Sequence, residues 1–205
     1  AVLARAATRE ESPPLERAAL AGIAGLGLFS FLPLAAGLAG WLRAPLAWAV
    51  TLAMLGLTRR SVRAWLEDVR AGARTMRPTT RAEWALAAFV ALMLIVSLAN
   101  ALGPVVGWDA LLYHLTGPKW DVAAGRASVP ASIPVLGYSP GVEMLFAWAM
   151  LLGGDRAAAP VHWAFGVLLG ALVWGWGRRW GTSRTAWLAL AMLLGTPSLV
   201  TLMGE

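Results

Sequence analysis

The sequence predicts an all-α fold: a polytopic transmembrane helical bundle with about five crossings and an external juxtamembrane or re-entrant helix. Three observations lead there. Hydrophobic residues make up 59% of the 205 positions and charged ones only 14%, outside the range of soluble globular domains. Apolar runs of membrane-crossing length recur along the chain. The basic residues, all Arg but for one Lys, cluster between those runs, as cytoplasmic loops do under the positive-inside rule. That clustering also explains a pI of about 11.2 without nucleic acid. Cysteine is absent, which excludes disulfides and thiolate chemistry. The richness in Ala, Gly, Leu, Arg and Trp points to a GC-rich bacterial genome and so to a bacterial inner membrane in the cell envelope. No cleavable signal is evident. The absence of an initial Met and the apolar run just before Glu205 predict a piece of a longer protein.

Residues 1–17 mix Arg and Glu around Pro13 and Pro14 and read as a polar leader. Ala18 to Ala36 is a Gly-rich apolar run. At 1.5 Å per residue it covers roughly 30 Å, one hydrocarbon thickness. After a turn near Gly40, Leu38 to Leu57 predicts a second span, with Trp41 and Arg43 at the interface. Together, residues 18–57 form an N-terminal hairpin. Residues 58–83 hold seven Arg, while Val62, Trp65, Leu66, Val69 and Ala73 recur at helical spacing. This is the pattern of an interfacial amphipathic helix on the cytoplasmic side. Contact with anionic lipid is one reading of its Arg residues; a positive-inside anchor is the plainer and favoured one.

Trp84 to Val106 predicts a third span, opening the segment 84–205. The polar, aromatic stretch 107–138 follows, broken by Pro118, Pro130 and Pro134. The apolar part of 140–153 would rise only about 17 Å as a helix, too little to cross. If it did cross, Arg178, Arg179 and Arg184 would lie outside. The positive-inside rule therefore keeps it on one side, within an external loop 107–157. Ala157 to Gly177 then crosses inward and Thr185 to Gly204 outward, so that Glu205 shares a face with Asp109.

The chemistry concentrates in Gly107 to Asp121. Asp109 and Tyr113 are four residues apart and share a helix face. Asp109 is the candidate catalytic base, since a partly desolvated carboxylate gains basicity; an N-cap role is the plainer alternative. His114, Lys119 and Arg126 could hold a phosphate by charge-assisted hydrogen bonds, or be ordinary loop residues. Glu143, one turn into the short helix, is costly if it faces lipid and so faces water or a partner. His162 lies early in the next span. A divalent metal is left open on Asp109, His114 and Asp121, but their spacing fits no strong template, and no metal ligand is assigned. No P-loop, dinucleotide fingerprint, G-x-S-x-G or H-E-x-x-H motif occurs. The Trp residues sit near predicted span ends as anchors, not as a stacking platform for nucleic acid.

In order, Asp109-Ala110-Leu111-Leu112-Tyr113, Tyr138-Ser139-Pro140-Gly141, Gly177-Arg178-Arg179-Trp180-Gly181 and Thr196-Pro197 leading to Glu205 resemble the opening of the GT-C fold membrane glycosyltransferases. The likeness is to bacterial relatives of the protein O-mannosyltransferases and the lipid A aminoarabinose transferase. It covers about the last 120 residues. Ala110 stands where the family often has Glu, and Ser139-Pro140 where it often has Pro-Pro. The resemblance implies that the full-length protein transfers a sugar from a polyprenyl-phosphate donor to an external acceptor, with inversion. Asp109 would be the base, with Tyr113, His114, Lys119, Arg126, Glu143 and Glu205 as substrate-binding candidates. The partners implied are the lipid-linked donor and membrane lipids, without nucleic acid. The 205 residues alone are expected to be inactive. The alternative is a non-enzymatic polytopic protein, a transporter or assembly subunit. Transporters tend to place charges at the bilayer midplane, whereas here the ionisable groups gather at one face. A lipid-handling ligase or phosphotransferase shares the same physics.

Overall fold

The computed structural model describes residues 12–128 and 140–204. These are helical, with no strand among them. The helices are α1 (Pro14–Leu38), α2 (Ala44–Thr75), α3 (Arg81–Leu102), α4 (Thr116–Ala124), α5 (Pro140–Gly153), α6 (Ala158–Arg179), α7 (Ser183–Leu194) and α8 (Pro197–Met203). A π-helical turn, Ala110–His114, leads into α4, and a 3-10 turn, Asp155–Ala157, leads into α6.

Three of these segments are long and apolar enough to cross a membrane: Pro14–Leu38, Arg81–Leu102 and Asp155–Arg179. A fourth is obtained if α7 and α8, bent by 73° at a short break, count as one span. The bend falls at Gly195-Thr196-Pro197, where proline cannot continue the preceding ladder. Their outer surfaces carry large apolar side chains such as Phe31, Leu92, Ile95 and Met192, all well exposed. An exposed apolar surface of that extent suits lipid rather than water.

The expected count of about five crossings is thus not reached. The difference lies in the second span. Leu38 ends α1, and residues 39–43 form the turn, with Gly40 at φ 75° and the Trp41 amide donating to the Ala36 carbonyl at 2.8 Å. Only Ala44 to Thr58 then remains before Arg59, and fifteen residues rise about 22 Å, short of the hydrocarbon core. Nor is 58–83 a helix of its own. Residues 58–75 continue α2 without a break, and α3 begins at Arg81. Its start is capped on both sides: Thr80 Oγ1 accepts from the Glu83 amide at 3.2 Å, and Glu83 Oε2 accepts from the Thr79 amide at 2.7 Å and the Thr80 amide at 3.3 Å.

α1 also begins earlier than the polar leader implied. Pro14 occupies its first turn, where a missing N–H costs nothing. Glu16 is buried there, with Arg179 Nη2 at 3.1 Å from its Oε1. Arg17 pairs with Asp68 at 2.7 Å, and Arg179 also donates to the Ser12 hydroxyl. The Trp65 indole donates to the Ala18 carbonyl at 2.8 Å, so Trp65 faces protein rather than membrane. These contacts join the start of α1, the end of α2 and the end of α6 at one end of the bundle, here called the Arg end. The opposite end, the loop end, is formed by the turn after α1, the end of α3, the segment 103–128 and the start of α6. The main core lies between α3, α6 and α7 around Trp174, Trp187, Leu190 and Leu194.

The first hairpin carries the loop end. The Ala127 amide donates to the Gly37 carbonyl at 2.9 Å, and the Leu42 amide to the Gly125 carbonyl at 3.0 Å. Gly125 closes α4 at φ 69°, and any Cβ there would meet the Arg43 guanidinium at 2.6 Å. The short helix α5, 14 residues long, is tied to the same hairpin. Its Trp148 is buried against Leu42 and Ala47, meets Phe29 edge-on at 5.9 Å, and donates to Thr51 Oγ1 at 3.0 Å.

Candidate functional site

α3 stops at Gly103-Pro104, because the residue before proline avoids the helical region. The chain resumes helical geometry at Trp108, but not as a regular α-helix. From Ala110 to His114 it widens to a π turn, with the Leu115 amide reaching the Ala110 carbonyl at 2.9 Å. Such bulges are uncommon and gather at functional sites. Asp109 lies just ahead of it, exposed, with no side-chain capping bond. The N-cap alternative therefore does not describe Asp109.

The widened turn brings His114 to α5. Its Nδ1 lies 2.9 Å from Glu143 Oε1, across 29 residues of sequence. An ionised carboxylate only accepts, so in this contact Nδ1 carries the hydrogen, and Nε2 of a neutral ring is left as an acceptor. Tyr113 lies against the His114 ring at 4.0 Å between centroids. Glu143 is largely buried, and its Oε2 has no partner. His162 lies behind, its ring 6.0 Å from that of Phe146.

A second contact ties the same segment to the 3-10 turn ahead of α6. Lys119 Nζ bonds Asp155 Oδ2, with both side chains 62% exposed. Beside them opens a cleft of about 270 Å³. Ala101, Pro104, Val105, Leu111, Leu115, Met150 and Ala159 give it apolar walls, while Thr116, Lys119, Asp155 and Arg156 supply its polar groups.

The remaining candidates are dispersed. Asp109 is not on the cleft lining, although Leu111, two residues on, is. Arg126 is exposed beyond the end of α4, and its backbone amide donates to the Asp121 carbonyl at 3.1 Å. Glu205 lies outside the described residues. Asp121 turns inward instead of toward His114: it is buried, and its Oδ1 accepts the Ser128 amide at 2.8 Å. Asp109, His114 and Asp121 thus engage different surroundings, and among the described residues no group of three or more His, Cys, Asp or Glu is gathered for a metal ion. Sequence reasoning overlooked Asp155 and Arg156. The polar break Gly154-Asp155-Arg156 between two apolar runs was the available signal.

Burial pushes the Asp121 carboxyl above its ordinary value of 3.8, with the Ser128 amide opposing. A carboxyl raised on folding favours the fold while protonated and withdraws that support as pH rises from about 3.8 through its folded value. Asp121→Asn keeps an oxygen for the Ser128 amide and cannot ionise. The variant is expected to be at least as stable as the parent at pH 7, with the difference shrinking as pH falls toward 4. Thermal unfolding at the two pH values checks this; a variant less stable at pH 7 than at pH 4, relative to the parent, would contradict it.

Compared with protein-family models, curated proteins and solved structures, the chain matches none of them.

Proposed function

We propose that the full-length protein carrying this chain is a membrane glycosyltransferase of GT-C type. It moves a sugar from a polyprenyl-phosphate-linked donor to an acceptor at the external membrane face. The observation that supports this reading best is the cleft. Its apolar walls adjoin Lys119 and Arg156 at the loop end of the bundle. A polyprenyl phosphate has the matching form, an apolar chain ending in an anion. Charge-assisted hydrogen bonds from the two cations would hold the phosphate and stabilise it as a leaving group. Lys119 would exchange Asp155 for phosphate at little cost, since an ion pair this exposed is worth about 0–1 kcal/mol. Asp109, exposed on the same end, would take the proton of the acceptor hydroxyl while that oxygen attacks the anomeric carbon. The bond to the phosphate oxygen would break with its electron pair on the phosphate. His114, oriented by Glu143, and Tyr113 would line the approach.

The test is donor turnover by the full-length protein. Replacing Lys119 and Arg156 by Gln is expected to raise KM for the lipid-linked donor by about tenfold or more, as loss of hydrogen bonds from charged groups predicts. Because the same contacts would stabilise the leaving phosphate, kcat should fall as well. An unchanged KM at normal expression would count against the cleft as donor site. The 205 residues alone are expected not to transfer sugar.

A further inference from the structure

Among the described residues, none of the five guanidinium groups on α2 serves the bundle or the cleft, and four of the five share one face. At about 100° per residue, Arg59, Arg63, Arg70 and Arg74 fall within one arc of about 60°. All four are exposed, and among the described residues none has a hydrogen bond or salt bridge. Glu67, also exposed, sits at the edge of that arc and offsets one charge. The adjoining arc holds Val62, Leu66, Val69 and Ala73. The third side is the one that meets protein. Trp65 bonds Ala18, Asp68 pairs with Arg17, Gly72 abuts Leu15 so closely that a Cβ would lie 2.3 Å from its Cγ, and Thr75 Oγ1 accepts from the Trp174 indole at 3.3 Å. The contacts with α1 thus lock the rotation of α2. The Arg arc is left facing away from the bundle, and in the apolar arc beside it Val62 and Ala73 are exposed while Leu66 and Val69 are half-buried.

We infer that this face of α2 is a binding surface for anionic phospholipid. The height supports lipid over a free anion. Ala47 packs with Ala36 near the loop end, and Arg59 lies twelve residues further along, about 18 Å. The Arg row therefore begins where the apolar half of α2, about 22 Å long, ends, and runs on toward the Arg end. Guanidinium groups there extend toward headgroup phosphates while the apolar arc beside them lies against acyl chains. A phospholipid offers a phosphate to the one arc and acyl chains to the other; inorganic phosphate offers nothing to the apolar arc. Trp84 and Trp180, strongly exposed near the same end, are placed as interfacial anchors.

The experiment is native mass spectrometry of the chain in mild detergent, titrated with phosphatidylglycerol or phosphatidylcholine. Phosphatidylglycerol should be retained at least tenfold more tightly, and the margin should fall as salt is raised. Replacing Arg59, Arg63, Arg70 and Arg74 together by Gln should erase the preference. Replacing the same four by Lys should keep it, as should Arg178→Gln with Arg184→Gln, which removes exposed charge from elsewhere at the Arg end. Should the Gln variant fail to fold by circular dichroism, the salt titration of the unaltered chain decides. Equal retention of the two lipids would overturn the inference. So would a preference that survives the Gln substitutions or is indifferent to salt. Displacement of the lipid by inorganic phosphate or by an oligonucleotide of equal charge would overturn it as well, identifying a site for free anions or for nucleic acid.

Discussion

Replacing Asp109 by Asn in the full-length protein is expected to lower sugar transfer by about 10²–10⁴-fold, the range that general-base catalysis contributes. The side chain keeps its size and loses only the ability to take a proton. Because Asp109 is exposed and makes no capping bond, the substitution should leave the fold intact. Donor KM should also change little, since Asp109 is not on the cleft lining. A fall in kcat at constant KM is the signature of a group that acts in the transition state and not in ground-state binding. Turnover of lipid-linked donor by purified protein, with expression and thermal stability matched, measures it. Unchanged kcat would remove Asp109 from the chemistry.

Trp174→Ala is expected to give the largest loss of stability, about 3–5 kcal/mol, as for other buried Trp truncations. Trp174 is 1% exposed and meets Trp187 edge-on at 4.8 Å. Its indole also reaches Thr75 on α2, so one side chain connects α2, α6 and α7. Within a membrane, helix association rests on packing and interhelical hydrogen bonds rather than on expulsion of water. Removing this ring takes away both. Trp174→Phe should recover most of the packing and lose the hydrogen bond to Thr75. Unfolding titrations in denaturing detergent distinguish the three forms; a loss below about 1 kcal/mol for the Ala variant would contradict the central position given to this ring.

Hydropathy made much of the helical layout legible, because length and apolarity are summed over many residues and tolerate local error. It located α1, α3 and α6 closely, and it marked α5 as too short to cross. It put the α1–α2 turn near Gly40, where the structure has it, but began the second span at Leu38, too early. Leu38, Ala39 and Leu42 score as apolar wherever they stand, so hydropathy ran the span back through the turn. The unbroken continuation of α2 into its Arg-rich half was hidden for a related reason. A change of polarity looks like a boundary, but the helical ladder is indifferent to it.

The candidate site was legible only as a neighbourhood. His114 and Lys119 were singled out from type and position. Their partners, Glu143 and Asp155, stand 29 and 36 residues away, and nothing in local spacing selects them. Asp109 and Asp121 stood together only in the open metal reading, yet one is open and the other is buried on the Ser128 amide. That difference arises from how Gly125 to Ala127 docks on Gly37 and Leu42, a contact between segments far apart in sequence. The first hairpin, which no motif marked, is thereby the platform of the loop end.

Donor transfer at the external face requires the loop end of the bundle to face outward. The chain contains no Cys, so single Cys residues report cleanly. Ala123 on α4 and Arg184 on α7 are both exposed, at the loop end and the Arg end respectively. With a membrane-impermeant maleimide applied to intact cells, Ala123→Cys should label and Arg184→Cys should label only after permeabilisation. Labelling of Arg184→Cys from outside, with Ala123→Cys protected, would contradict the account.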